Sequence, residues 1–73
     1  MRLPSLKPKN VVVILKKAGF VEMRQSGSHL TLTNKAKKKV TVVPLHGKEI
    51  KRGLFMAIVK QSGLTTKEFI KLI

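Results

Sequence analysis

The sequence predicts an α+β domain of order α-β-β-β-α: a three-stranded antiparallel sheet with helices on one face and a short C-terminal helix. Three observations carry that prediction. Apolar residues recur at helical spacing in residues 11–18 and again in 50–58. Between residues 21 and 43 they alternate instead with polar ones. Glycine or proline stands at nearly every change of period, where turns and helix stops need them. A chain of 73 residues allows one domain, 1–73, with a small core and modest stability.

The first helix opens at Lys7-Pro8-Lys9-Asn10, because proline is preorganised for the first helical position. Val11, Ile14, Leu15 and Ala18 form its apolar stripe, Val12 widens it, and Lys9, Lys16 and Lys17 flank it. Gly19 supplies the left-handed stop, and Phe20 folds back over the last turn. Val21-Glu22-Met23-Arg24 reads as a strand, with Val21 and Met23 inward and Glu22 and Arg24 outward.

Ser26-Gly27-Ser28 is a turn, and His29-Leu30-Thr31-Leu32-Thr33 alternates as a second strand. Residues 34–38 form a charged hairpin loop, and Val40-Thr41-Val42-Val43 is a third strand ended by Pro44. Pairing Leu30 with Val42 and Leu32 with Val40 would place all four on one buried face. His29 would then face Val43, and Thr31 would face Thr41, on the open side. After Leu45-His46-Gly47, a second helix runs from about residue 49 or 51 to 62, with Ile50, Leu54, Ala57 and Ile58 as its stripe and Gly63 as its cap. Gly53 costs that helix roughly 1 kcal/mol against alanine and reads as a place for close approach of backbone or ligand. Thr65 and Glu68 then form a capping box ahead of a short helix carrying Phe69, Ile70, Leu72 and Ile73.

Sixteen Lys and Arg against three acidic residues leave a net charge of +13. Such a surplus favours a polyanionic partner, with nucleic acid ahead of an acidic protein or an anionic membrane surface. The chain has no cysteine, which excludes a disulfide framework and thiolate metal sites. The longest wholly apolar run, residues 11–15, falls far short of the ~20 residues that span a bilayer. Met1-Arg2-Leu3-Pro4-Ser5 lacks the apolar stretch of a secretory signal. The expectation is a soluble cytoplasmic protein with no membrane partner, no metal and no small-molecule cofactor.

No P-loop, dinucleotide fingerprint or paired-carboxylate motif is present, and with no aspartate in the chain a Ser-His-Asp triad is excluded. Acid–base chemistry near neutrality then falls to histidine, whose ordinary pKa is about 6.5. His29 opens the second strand directly after Gly27-Ser28, and His46 follows the third. Antiparallel pairing brings the start of one strand beside the end of the next, so the two imidazoles approach one sheet edge, ringed by Lys48, Lys51 and Arg52. Two such groups suit RNA cleavage. One takes the 2′-hydroxyl proton while the other, or a lysine, assists the leaving oxygen. A histidine beside a turn is more often a plain surface residue, however, and Lys35-Ala36-Lys37-Lys38-Lys39 more often a solvated loop. Composition and spacing alone reach a small basic α+β domain facing RNA.

At Gly27-Ser28-His29 the chain resembles the HicA family of toxins, which are mRNA interferases, and the resemblance covers nearly all of it. Leu15-Lys16-Lys17-Ala18-Gly19-Phe20 is similar to the end of that family's first helix, and Val42-Val43-Pro44-Leu45-His46 to its third-strand exit. Ile50-Lys51-Arg52-Gly53 and Ile58-Val59-Lys60-Gln61-Ser62-Gly63-Leu64 resemble the two ends of its second helix. The resemblance implies a fold like the double-stranded-RNA-binding domain. RNA would then be met by Lys16 and Lys17 of the first helix, by Ser26, Gly27 and Ser28, and by Lys48, Lys51 and Arg52.

It further implies an endoribonuclease that cleaves mRNA and inhibits translation, with His29 catalytic, and a HicB-type antitoxin that blocks it. His46 carries over less securely, its simpler role being to shape the turn after the third strand. Leu30-Thr31-Leu32 departs from the family, whose members often place another aromatic or histidine after the active-site histidine. That departure bears on packing or RNA contact more than on catalysis. The alternative is a module of the same fold that binds double-stranded RNA without cutting it.

Overall fold

The computed structural model describes residues 6–47 and 49–73; residues 1–5, on which the expectation about a secretory signal rests, and Lys48, one of the basic positions, lie outside the described residues. The element order is α1 (Pro8–Lys17), β1 (Val21–Ser26), β2 (His29–Asn34), β3 (Lys39–Pro44), α2 (Arg52–Ser62) and α3 (Thr66–Lys71). The strands form one antiparallel sheet in the order β1-β2-β3. The fold is therefore the α+β, double-stranded-RNA-binding-domain-like arrangement expected from the sequence.

Local chemistry explains most of the element ends. Pro8 opens α1 as expected. At its far end the Gly19 amide donates to the Lys16 carbonyl and the Phe20 amide to the Leu15 carbonyl, the paired bonds of a Schellman stop. Gly19 has φ +98°, a conformation that favours glycine, and a Cβ there would press on Asn34 Nδ2 at 3.1 Å. Gly63 ends α2 in the same left-handed region, and the Thr65–Glu68 capping box starts α3. One core unites Val11, Ile14 and Leu15 of α1, Leu30 and Leu32 of β2, Val43 of β3, and Phe55, Ile58 and Val59 of α2.

The hairpin between β2 and β3 departs from the expected register by one residue. Leu30 pairs with Val43, Thr31 with Val42, Leu32 with Thr41, and His29 with Pro44. Because side chains alternate with period two, a one-residue slip turns every side chain of β3 over. Val43 and Thr41 are thus buried, at 0% and 1% exposure, while Val40 and Val42 stand 51% and 40% exposed.

The loop sets this register. Asn34 Oδ1 accepts from the Lys37 amide at 3.2 Å, a side-chain bond that braces the loop, and the Lys38 amide donates to the Lys35 carbonyl. Lys38 takes φ 54°, and the loop closes over residues 35–38 with Asn34 opposite Lys39. The anticipated pairing would have needed one residue fewer. Inside the sheet the cost of burying Thr41 is offset by its hydroxyl donating to Gln61 Oε1 at 2.8 Å.

Further expectations are corrected. Val21 and Met23 are exposed, because β1 is an edge strand and the register shifts between Glu22 and Arg24, a bulge that breaks the alternation. In α2 the buried stripe is Phe55, Ile58, Val59 and Ser62, whereas Leu54 and Ala57 are exposed. Lys51 is the N-cap, so the helix begins after Ile50, which is buried in an extended segment whose amide donates to the Leu6 carbonyl at 2.8 Å. No backbone closely approaches Gly53: a Cβ there would meet nothing within 4 Å.

Candidate active site

The site begins with a two-residue turn. Ser26 pairs with His29, leaving only Gly27 and Ser28 to reverse the chain. Gly27 takes φ +58° and Ser28 does not take a positive φ, the pattern of a type II′ hairpin turn, which wants glycine first. Gln25 Nε2 donates to the Gly27 carbonyl at 3.1 Å and braces the turn. His29 therefore emerges as the first residue of β2, exposed, its position fixed by one of the most constrained turns available to a chain.

The other wall follows from Pro44. Hydrogen-bonded and non-hydrogen-bonded pairs alternate along an antiparallel ladder. The Leu45 amide donates to the Ser28 carbonyl, so His29–Pro44 falls on a non-hydrogen-bonded pair. The missing proline N–H thus costs the ladder nothing, and the free edge of β3 is blunted there. The second residue past the strand is His46, which lies beside His29. The ring centroids are 5.9 Å apart, with planes 75° to one another. The approach anticipated from strand pairing is present, although the register that produces it is the corrected one.

His29 and His46 share a shallow groove of about 430 Å³ with Val42, Pro44, Leu54 and Gln61. Leu54 lies in the first turn of α2, which also carries Lys51 and Arg52, both exposed. That turn contains no acidic residue, and no side chain caps it, so the positive end of the helix adds to the two basic side chains. Ser26 and Gly27 are exposed on the neighbouring turn, and Ser28 is half-buried. Lys51 and Arg52 thus open the helix whose Leu54 lines the groove beside the two imidazoles.

Lys16 and Lys17 stand elsewhere. Lys16 forms an ion pair with Glu22, which lies opposite Leu32, about 10 Å along β2 from His29 at 3.4 Å per residue. Lys17 Nζ donates to the Leu72 carbonyl at 3.3 Å. Neither lysine lines the histidine groove. Among the described residues no three His, Cys, Asp or Glu side chains come together in a way that could hold a metal ion. No helix among them is long and apolar enough to cross a membrane.

Sequence reasoning missed Val42, Leu54 and Gln61 as groove residues. From spacing alone Val42 and Leu54 read as core. The signal that would have found Val42 is Asn34, whose side chain bonds the Lys37 amide and braces a loop over residues 35–38.

Residues 8–64 match the family model described as HicA toxin of bacterial toxin–antitoxin. No curated protein matches the chain.

Proposed function

The chain belongs to the HicA toxin family of bacterial toxin–antitoxin systems, and from that premise we propose that it is an mRNA interferase. The reading is an endoribonuclease that cuts mRNA without a metal ion and so inhibits translation. The observation that supports it most is the exposed His29 imidazole, set by the Gly27-Ser28 turn in a groove lined by Leu54 of α2, the helix that Lys51 and Arg52 open. Membership in a toxin–antitoxin family implies an antitoxin partner, which we take to be a HicB-type protein.

In this mechanism Lys51 and Arg52 engage the phosphates of single-stranded or locally unpaired RNA, and Lys48 belongs to the same basic segment. Ser26, Gly27 and Ser28 contact the backbone beside the scissile bond, while Lys16 and Lys17 bind a more distant stretch. His29 acts as general base and takes the proton of the 2′-hydroxyl, which attacks the adjacent phosphorus. General acid–base catalysis of this kind contributes about 10²- to 10⁴-fold. Basic side chains stabilise the charge that builds on the phosphorane oxygens.

The test is incubation of the purified protein with a labelled mRNA in EDTA, beside a His29→Ala variant. Cleavage by the wild type alone, with RNA affinity retained by the variant, is the expected result. Cleavage by both would overturn the assignment of His29. Binding by both without cleavage by either would leave the alternative reading, a module that holds double-stranded RNA.

A further inference from the structure

We propose that His46 is the general acid of the cleavage reaction, protonating the 5′-oxygen as it leaves while His29 takes the 2′-hydroxyl proton. The proposal rests on the ribonuclease reading above and assigns the second half of its chemistry. Its first support is placement: the two rings are 5.9 Å apart, nearly perpendicular, and line one groove. In-line attack needs a proton acceptor at one apical oxygen of the phosphorane and a donor at the other, each within about 2.6–3.2 Å of its oxygen. Two imidazoles at this separation can flank a single phosphate, and their crossed planes aim the ring nitrogens in different directions.

The second support is that His46 has no structural task. The segment around it is already held at both ends, by the Leu45 amide on the Ser28 carbonyl and the Ile50 amide on the Leu6 carbonyl. The His46 side chain is exposed, and among the described residues neither imidazole makes a hydrogen bond. A histidine kept to shape the turn would be tied into it.

The third support is chemical. An ammonium, with an ordinary pKa near 10.4, holds its proton too tightly to be an efficient acid, and a carboxyl group, near 4.3, has already lost it at neutral pH. Imidazole suits the task better than either.

The step balances. The O2′–P bond forms as the 2′-hydroxyl proton passes to His29, and the P–O5′ bond breaks as O5′ takes a proton from His46. The products are a 2′,3′-cyclic phosphate and a 5′-hydroxyl. Exchange with water then restores both imidazoles.

The experiment changes the leaving group. An RNA that the wild type cuts is prepared twice, once with ordinary linkages and once with sulfur replacing the 5′-bridging oxygen at the mapped cleavage position. A thiolate leaves without being protonated, so only the acid becomes dispensable. His46→Ala and His46→Gln should each cut the oxygen linkage about 10²- to 10⁴-fold more slowly than wild type. Both should recover to near wild-type rate on the sulfur linkage, whereas His29→Ala stays slow on both.

Normal cutting of the oxygen linkage by the His46 variants would overturn the proposal. So would an equal loss on both linkages, which would mark His46 as a residue for binding or shape. Failure of the wild type to cut either RNA is a separate outcome, which removes the ribonuclease reading and this proposal with it.

Discussion

Removing the Phe69 ring tests whether α3 is part of the fold or merely rests on it. The HicA family match ends at residue 64, before this helix begins. Yet Phe69 is 0% exposed, and its ring meets Phe55 of α2 edge to face, with centroids 5.3 Å apart and planes at 83°. Truncating a buried phenylalanine to alanine costs about 3–5 kcal/mol, combining lost transfer energy with the cavity left behind.

At roughly 0.05–0.15 kcal/mol per residue, a domain of 73 residues has only about 4–11 kcal/mol to lose. Phe69→Ala should therefore remove about a quarter or more of the stability. With a urea dependence near 1 kcal/mol per molar, typical of small domains, the unfolding midpoint followed by circular dichroism should fall by about 3 M or more. Phe69→Leu, which keeps most of the volume, should cost much less. A loss below about 1 kcal/mol in Phe69→Ala would refute the reasoning, because a ring packed on all sides cannot be removed so cheaply. The consequence reaches the groove, since Phe55 adjoins Leu54 in the first turn of α2, and a loosened α3 leaves that turn less firmly braced.

Three further outcomes are expected. Lys51→Ala and Arg52→Ala should each weaken RNA binding and flatten its logarithmic salt dependence by about 0.7 for each phosphate no longer neutralised, read by titration at several salt concentrations. Gly27→Ala should cost about 1–2 kcal/mol from the left-handed backbone alone, because φ is +58° and a Cβ there would meet nothing within 4 Å. Urea unfolding measures that loss, and cleavage should fall with it as the turn no longer presents His29 correctly. The Glu68 carboxyl is held below its ordinary range, first by the Thr65 backbone N–H and then by the Thr65 side chain, with Lys37 and Lys71 adding to the effect. A pKa lowered in the folded state means that this stabilisation is present above the ordinary glutamate range and is lost as pH falls through the lowered value. The urea midpoint of the wild type should thus drop below about pH 4 relative to that of Glu68→Gln, and parallel curves would contradict the link.

By itself the sequence determined the order of the elements, because each boundary is written in local chemistry. Pro8 starts a helix and Gly19 stops one, Gly27-Ser28 reverses the chain, and Thr65 with Glu68 caps the last helix. It also determined that His29 and His46 meet, since turn length and strand order bring them to one edge whichever of the two registers forms.

Tertiary structure decided which face of β3 is buried. Val40, Thr41, Val42 and Val43 are all of β-forming type, so period alone could not separate a valine pair from a threonine and a valine. The choice fell to interactions distant in sequence or made by side chains. The Asn34 carboxamide sets the loop length and reaches the Ala18 carbonyl, and Gln61 accepts the hydroxyl of Thr41 from across the core. In α2, Phe69 of α3 meets Phe55 and draws it inward, which leaves Leu54 free to line the groove beside the two imidazoles. Hydrophobic burial is proportional to area and indifferent to which residue supplies it, so a strand or helix with apolar residues on more than one face takes its orientation from the partners it meets.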